Sequence, residues 1–304
     1  MRIIFMGTPD FAVASLAALV EAGEKVVAVI TMPDKPAGRG QKLQESPVKR
    51  YAVAQGIPVL QPEKLRNPDF LQELAGFQAD LQVVVAFRML PEAVWNMPSK
   101  GTINVHASLL PQYRGAAPIN HVIINGETES GVTTFLLQQE IDTGNVLFAE
   151  KVAINLTDTA GVLHDKLMHA GAEVLLKTVA AIRDNNVTAT PQEELTDDQL
   201  KFAPKIFKED CQIDWNRSTR TVYNHIRGLS PYPAAFTHLQ GKVLKIYETE
   251  ETDAIDKPAG EWETDGKTYI KFATADAALS LKSLQLEGKK RMQVDEFLRG
   301  YRFD

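Results

Sequence analysis

Residues 101–118 read GTINVHASLLPQYRGAAP, and the fold turns on how they are read. Thr102-Ile103-Asn104-Val105-His106 alternates with period two. That predicts a strand with Ile103 and Val105 on one face, Asn104 and His106 on the other. Apolar sequence on both sides predicts burial in a sheet. Pro111, after Ser108-Leu109-Leu110, stops further strand pairing. Residues 114–118 supply a tight turn of small residues, and Pro118 suits the first turn of a helix over 118–125. In an open parallel sheet, ligands sit beyond the carboxyl ends of the strands. An Asn and a His two apart near such an end mark a candidate site.

Upstream, residues 2–6 form a short apolar strand ended by Gly7-Thr8. Apolar residues recur at helical spacing over 9–22, and residues 25–30 are a valine-rich strand. This βαβ opening predicts a Rossmann-like, mostly parallel sheet with right-handed crossovers. Gly7-Thr8-Pro9-Asp10 has no second glycine to admit a pyrophosphate, so it is not the dinucleotide fingerprint. Residues 48–55 and 70–76 read as helices and 58–60 as a short strand. Residues 81–87 read as a buried central strand. Residues 31–47 carry no periodicity, combine Pro, Gly and base, and leave the end of a strand. A loop of this length in a compact domain is functional or disordered, and its place beside the crevice favours function.

Downstream, a strand over 131–137 leads to Ile141-Asp142-Thr143-Gly144. Asp142 there is either a plain turn aspartate or a member of the site. With Asn104 and His106 it makes a chemically complete set. An amide donates to a developing oxyanion, imidazole moves protons near neutral pH, and a carboxylate orients the imidazole. An extended segment over 148–154 and a long amphipathic helix over 158–183 follow. His164 and His169 are five apart, off the spacing that pairs metal ligands on a helix, and no metal site is expected. Residues 185–204 read as a linker. Beyond it, short strands near 236–238, 242–249, 260–263, 268–273 and 278–285 suggest a small β-barrel.

The chain has 304 residues, enough for two domains. One cysteine, Cys211, excludes an internal disulfide. A reducing, cytoplasmic setting is expected, with no signal peptide and no membrane partner. Net charge is −6. Residues up to Pro204 hold 17 basic and 23 acidic side chains, against 16 of each after it. The later part is thus the relatively basic one, although basic runs such as Lys289-Lys290-Arg291 are mostly solvated surface.

Asn104-Val105-His106, Ser108-Leu109-Leu110-Pro111, Arg114-Gly115-Ala116-Ala117-Pro118 and Asp142-Thr143-Gly144 together resemble the 10-formyltetrahydrofolate-dependent formyltransferases. The resemblance covers essentially the whole chain. It implies a catalytic domain over 1–184, a linker over 185–204 and an OB-like tRNA-binding barrel over 205–304. It implies Asn104, His106 and Asp142 as catalytic residues and a folate site at Ser108, Leu109, Leu110 and Pro111. The loop carrying Lys35, Arg39 and Lys42 is expected to close over the acceptor, the methionyl end of initiator tRNA. A monomer is expected. At Phe87-Arg88 the chain is one residue shorter than the family, which carries Tyr-Gly where this turn helps wall the pterin pocket. Glycinamide ribonucleotide formyltransferases, sugar-nucleotide formyltransferases and formyltetrahydrofolate hydrolases share the catalytic set. The first are generally a single small domain, and the sugar enzymes lack the Lys35-Pro36-Ala37-Gly38-Arg39-Gly40 loop. A folate- or RNA-binding protein without chemistry is the rival of another class, and an intact Asn104, His106 and Asp142 argue against it.

Overall fold

A computed structural model describes residues 1–37, 42–193, 196 and 198–303. Its elements begin with β1 (Arg2–Gly7), α1 (Asp10–Glu21), β2 (Lys25–Ile30), β3 (Lys35–Ala37), β4 (Lys42–Gln44), α2 (Pro47–Ala54), β5 (Val59–Leu60), α3 (Pro68–Gly76) and β6 (Leu81–Val85). They continue with α4 (Glu92–Trp95), β7 (Thr102–His106), β8 (Arg114–Gly115), α5 (Pro118–Ile124), β9 (Glu129–Leu136), β10 (Val146–Ala153), α6 (Ala160–Arg183) and β11 (Phe202–Ala203).

Seven strands form one sheet in the order β10-β9-β7-β6-β1-β2-β5. β1 runs parallel to β2 and β6, β2 to β5, and β6 to β7, while β9 pairs antiparallel with β7. The sheet is therefore mostly parallel, as the βαβ opening implies. One face buries Ile4, Met6, Ala28, Ile30 and Val84 against Phe70, Leu74 and Val94. Each of these side chains larger than Ala28 contributes roughly 1.5–3 kcal/mol on leaving water. Gly7 ends β1 because a Cβ there would lie 2.6 Å from the Cβ of Ala12. This glycine serves the close approach of helix to strand, with no phosphate involved. β6 stops at Val85, two residues before the expected end, because Ala86 turns to φ 48°.

The segment 31–47 departs from expectation. It is not a loop throughout: β3 and β4 pair antiparallel, Lys35 opposite Gln44 and Ala37 opposite Lys42. Its base is clasped by Lys49, whose ammonium lies 2.5 Å from Asp34 and 3.0 Å from Glu45. Ser46 caps α2 by accepting from the Lys49 N–H. The turn expected at Arg114-Gly115 is likewise a two-residue strand, β8.

The rest comprises α7 (Thr219–Gly228), β12 (Ala235–Leu239), β13 (Lys242–Thr252), β14 (Trp262–Thr264), β15 (Ile270–Ala273), β16 (Ala278–Leu286), β17 (Met292–Gln293) and α8 (Val294–Gly300). The pairings β12-β13-β16-β15-β14, with β17 beside β16, are all antiparallel. The curled sheet is consistent with a small OB-like domain. Trp215 stacks on Phe272 at 4.6 Å in its core, beside Leu244, Ile246 and Leu281.

Two compact units result. One takes Met1–Gly115, Ser130–Ala153 and His164–Lys201; the other takes Ala116–Glu129, Ile154–Leu163 and Phe202–Asp304. The expected domains are contiguous in sequence, and these units are not. Within the second unit, α5 packs on α7: the Asn120 side-chain amide donates to the Gly228 carbonyl at 2.7 Å. A Cβ on Gly228 would stand 2.5 Å from Ile124.

Candidate active site

β7 lies between β6 and β9, which places Asn104 opposite Val84 and Phe135 and His106 opposite Thr133. Alternation along β7 sets the amide and the imidazole on one face. Asn104 is half-buried and His106 is buried. Beyond the strand, residues 107–113 turn back, and Tyr113 takes φ 59°. The Tyr113 carbonyl lies 3.0 Å from His106 Nε2. A carbonyl only accepts, so Nε2 carries the proton and Nδ1 keeps its lone pair in the neutral ring. Nδ1 stands 3.9 Å from Asp142 Oδ2, within ion-pair range and beyond a hydrogen bond. The expected orienting role of Asp142 is thus met here by the backbone of Tyr113.

Asp142 is 9% exposed at φ 55°, a left-handed conformation that Asp tolerates better than most residues. Its carboxylate accepts from the Gly115 N–H at 3.1 Å. Gly144 returns the chain so close to β9 that a Cβ would fall 1.6 Å from the Leu136 carbonyl oxygen. Gln192 completes the surround. Its Nε2 donates to the carbonyls of Asp142 at 2.8 Å and Gly144 at 2.9 Å. Its Oε1 accepts from Arg114 Nη2 at 2.6 Å and Nε at 3.2 Å. Thr190, two residues before Gln192, also bridges Val146.

The expected folate turn divides. Ser108 is fully buried, and its hydroxyl donates to the Gln112 carbonyl at 2.7 Å. Leu109 packs on Gly131, where a Cβ would lie 2.4 Å from its Cδ2. These two hold the turn together. The Thr133 hydroxyl reinforces it, donating to the Ser108 carbonyl and accepting from the Leu110 N–H. Leu110 and Pro111, joined by a cis peptide, stay half-exposed. At the departure from the family pattern, Arg88 donates to the Pro62 and Glu63 carbonyls, and burial lowers its pKa. Met89 beside it is exposed.

Of the three cations expected to meet the acceptor, Lys35 is exposed on β3 and Lys42 sits on β4. Arg39 lies outside the described residues. Tyr113, Gly115 and Gln192 escaped the sequence reading. The first two act through backbone groups that every residue type carries, and Gln192 stands in a polar stretch with no periodicity.

The family model described as formyl transferase matches residues 1–179, and that described as formyl transferase, C-terminal domain, matches residues 205–302. A methionyl-tRNA formyltransferase of Bacteroides thetaiotaomicron is 58% identical over 309 residues, covering 99% of this chain and 96% of that protein. Among solved structures, HypX from Aquifex aeolicus in complex with tetrahydrofolic acid aligns with TM-score 0.68 at 20% identity. All of this chain is covered, and it spans 48% of that one. WlaRD, a sugar 3N-formyl transferase, aligns with TM-score 0.69 at 19% identity over 95% of this chain and 99% of that one. Likenesses at this level of identity concern the fold alone.

Proposed function

We propose that this chain, which belongs to the formyl transferase family, moves a formyl group from 10-formyltetrahydrofolate to the α-amine of methionine on initiator tRNA, for the start of translation. The observation that carries this reading is the 58% identity to a methionyl-tRNA formyltransferase over 99% of the chain. The site fits the chemistry. The half-exposed Leu110 and Pro111 adjoin β7 and offer apolar surface to a flat ring. Bound there, the folate supplies an activated formyl carbon. The Asn104 amide donates to the formyl oxygen as negative charge builds on it. His106 takes the proton of the attacking amine at Nδ1, since Nε2 is committed to the Tyr113 carbonyl, and gives it to the folate N10, which leaves as its bond to the formyl carbon breaks. Asp142, held by the Gly115 N–H, balances the imidazolium charge from 3.9 Å. Lys35, Arg39 and Lys42 contact the acceptor end. The curled antiparallel sheet engages tRNA phosphates, so binding weakens steeply with salt.

Formyl transfer to charged initiator tRNA, measured beside free methionine and amino-sugar nucleotides, is the test. Turnover is expected with the charged tRNA. Strict dependence on a sugar nucleotide would overturn the assignment.

The folate site has its own expected result. Leu110→Asp places a charge on the apolar surface offered to the ring, and folate affinity falls about 10-fold or more. Affinity for tRNA stays within about twofold. Calorimetric titration of both ligands on one preparation decides it. Unchanged folate affinity would remove residues 110–111 from the site.

A further inference from the structure

We infer that Gln192 is a positioning residue for Asp142. The inference rests on the reading of Asp142 as the group that balances charge on His106. One amide braces both supports of that carboxylate. Through Nε2 it fixes the backbone of residues 142–144, by way of the Asp142 and Gly144 carbonyls. Through Oε1 it fixes Arg114, the neighbour of the Gly115 whose N–H holds Asp142 Oδ2. Two backbone acceptors stand on one side and a guanidinium on the other. Only one amide orientation satisfies them, because a flipped amide would aim N–H at guanidinium and oxygen at carbonyl. No other natural side chain of this length carries both a donor pair and an acceptor. Glu keeps the acceptor and repels the two carbonyls. Asn is one methylene short. Asp142 occupies a left-handed conformation with its carboxylate 3.9 Å from the imidazole. A shift of about 1 Å in such a group can cost 10²-fold in rate. Gln192 itself touches neither reacting group, and its effect passes through Asp142.

The experiment is a double-mutant cycle on the full chain, reading kcat, both KM values and the thermal midpoint. Gln192→Glu is expected to lower kcat about 10–100-fold. Gln192→Met, neutral and of the same length, should do the same if Glu disturbs folding. Each KM stays within about threefold, as for a group felt in the transition state. Asp142→Asn lowers kcat on its own. In that background Gln192→Glu or Gln192→Met changes kcat less than about twofold, because the two side chains act as one unit. Full additivity of the losses, or wild-type kcat in both Gln192 variants, overturns the inference and leaves the role of Asp142 standing. An unchanged kcat in Asp142→Asn overturns that role, and this inference with it.

Discussion

Asn104→Ala lowers kcat for formyl transfer about 10²–10³-fold, while KM and the melting temperature stay close to wild type. The rate prediction follows from where charge appears. The formyl oxygen is nearly neutral in the bound substrate and becomes anionic as the amine adds. A preorganised amide therefore helps the transition state more than the ground state. Loss of one such donor is worth about 2.7–4 kcal/mol. Stability is spared because Asn104 is only half-buried. β7 keeps its place through Ile103 and Val105, both buried, and through its ladders to β6 and β9. Single-turnover kinetics on a variant with a native melting curve measure the effect. Near-wild-type turnover would remove Asn104 from the reaction.

Gly144→Ala is expected to damage activity and stability together. The added Cβ would lie 1.6 Å from the Leu136 carbonyl oxygen and 3.2 Å from the Phe135 ring. No backbone can absorb the first contact in place, so residues 142–145 or the end of β9 must move. Leu136 N donates to the Asn145 carbonyl at 3.0 Å, which couples the two. Overpacking of this kind costs about 1–3 kcal/mol. Displacing Asp142 with the loop lowers kcat by about 10². Thr143→Ala, one residue away on a half-buried side chain, is the control and should stay within about threefold of wild type. Urea melts and kinetics on both variants give the answer. A Gly144→Ala protein of normal stability and rate would show that the loop yields without moving Asp142.

Long periodic segments were legible in the sequence. β2 and β7 fall on their expected bounds because an uninterrupted apolar or alternating run fills each of them. Asn104 and His106 were legible for the same reason: period two fixes the face. The hairpin of β3 and β4 was hidden because each leg has three residues and Pro36 interrupts the first. What holds Asp142 was also hidden. A backbone N–H from Gly115 and a side chain from Gln192, fifty residues away in sequence, leave no local pattern. The partner of the Ser108 hydroxyl was hidden as well. That hydroxyl stands in the motif associated with ligand, and the structure commits it to Gln112. The interleaved units were illegible because composition shifts only once along the chain, near Pro204.

That interleaving sets a schedule for the nascent chain. α5 leaves the ribosome with Ile123 and Ile124 on it, and its partner α7 begins only at Thr219. At about 5–20 residues per second, the ribosome needs roughly 5–20 s to deliver the intervening stretch. Within that interval, once β10 is made, the seven-stranded sheet can close, while a short apolar helix waits for chain that has yet to be made. Synthesis halted near Pro204 would strand α5 without α7, and its exposed apolar face would be a handle for chaperones and proteases.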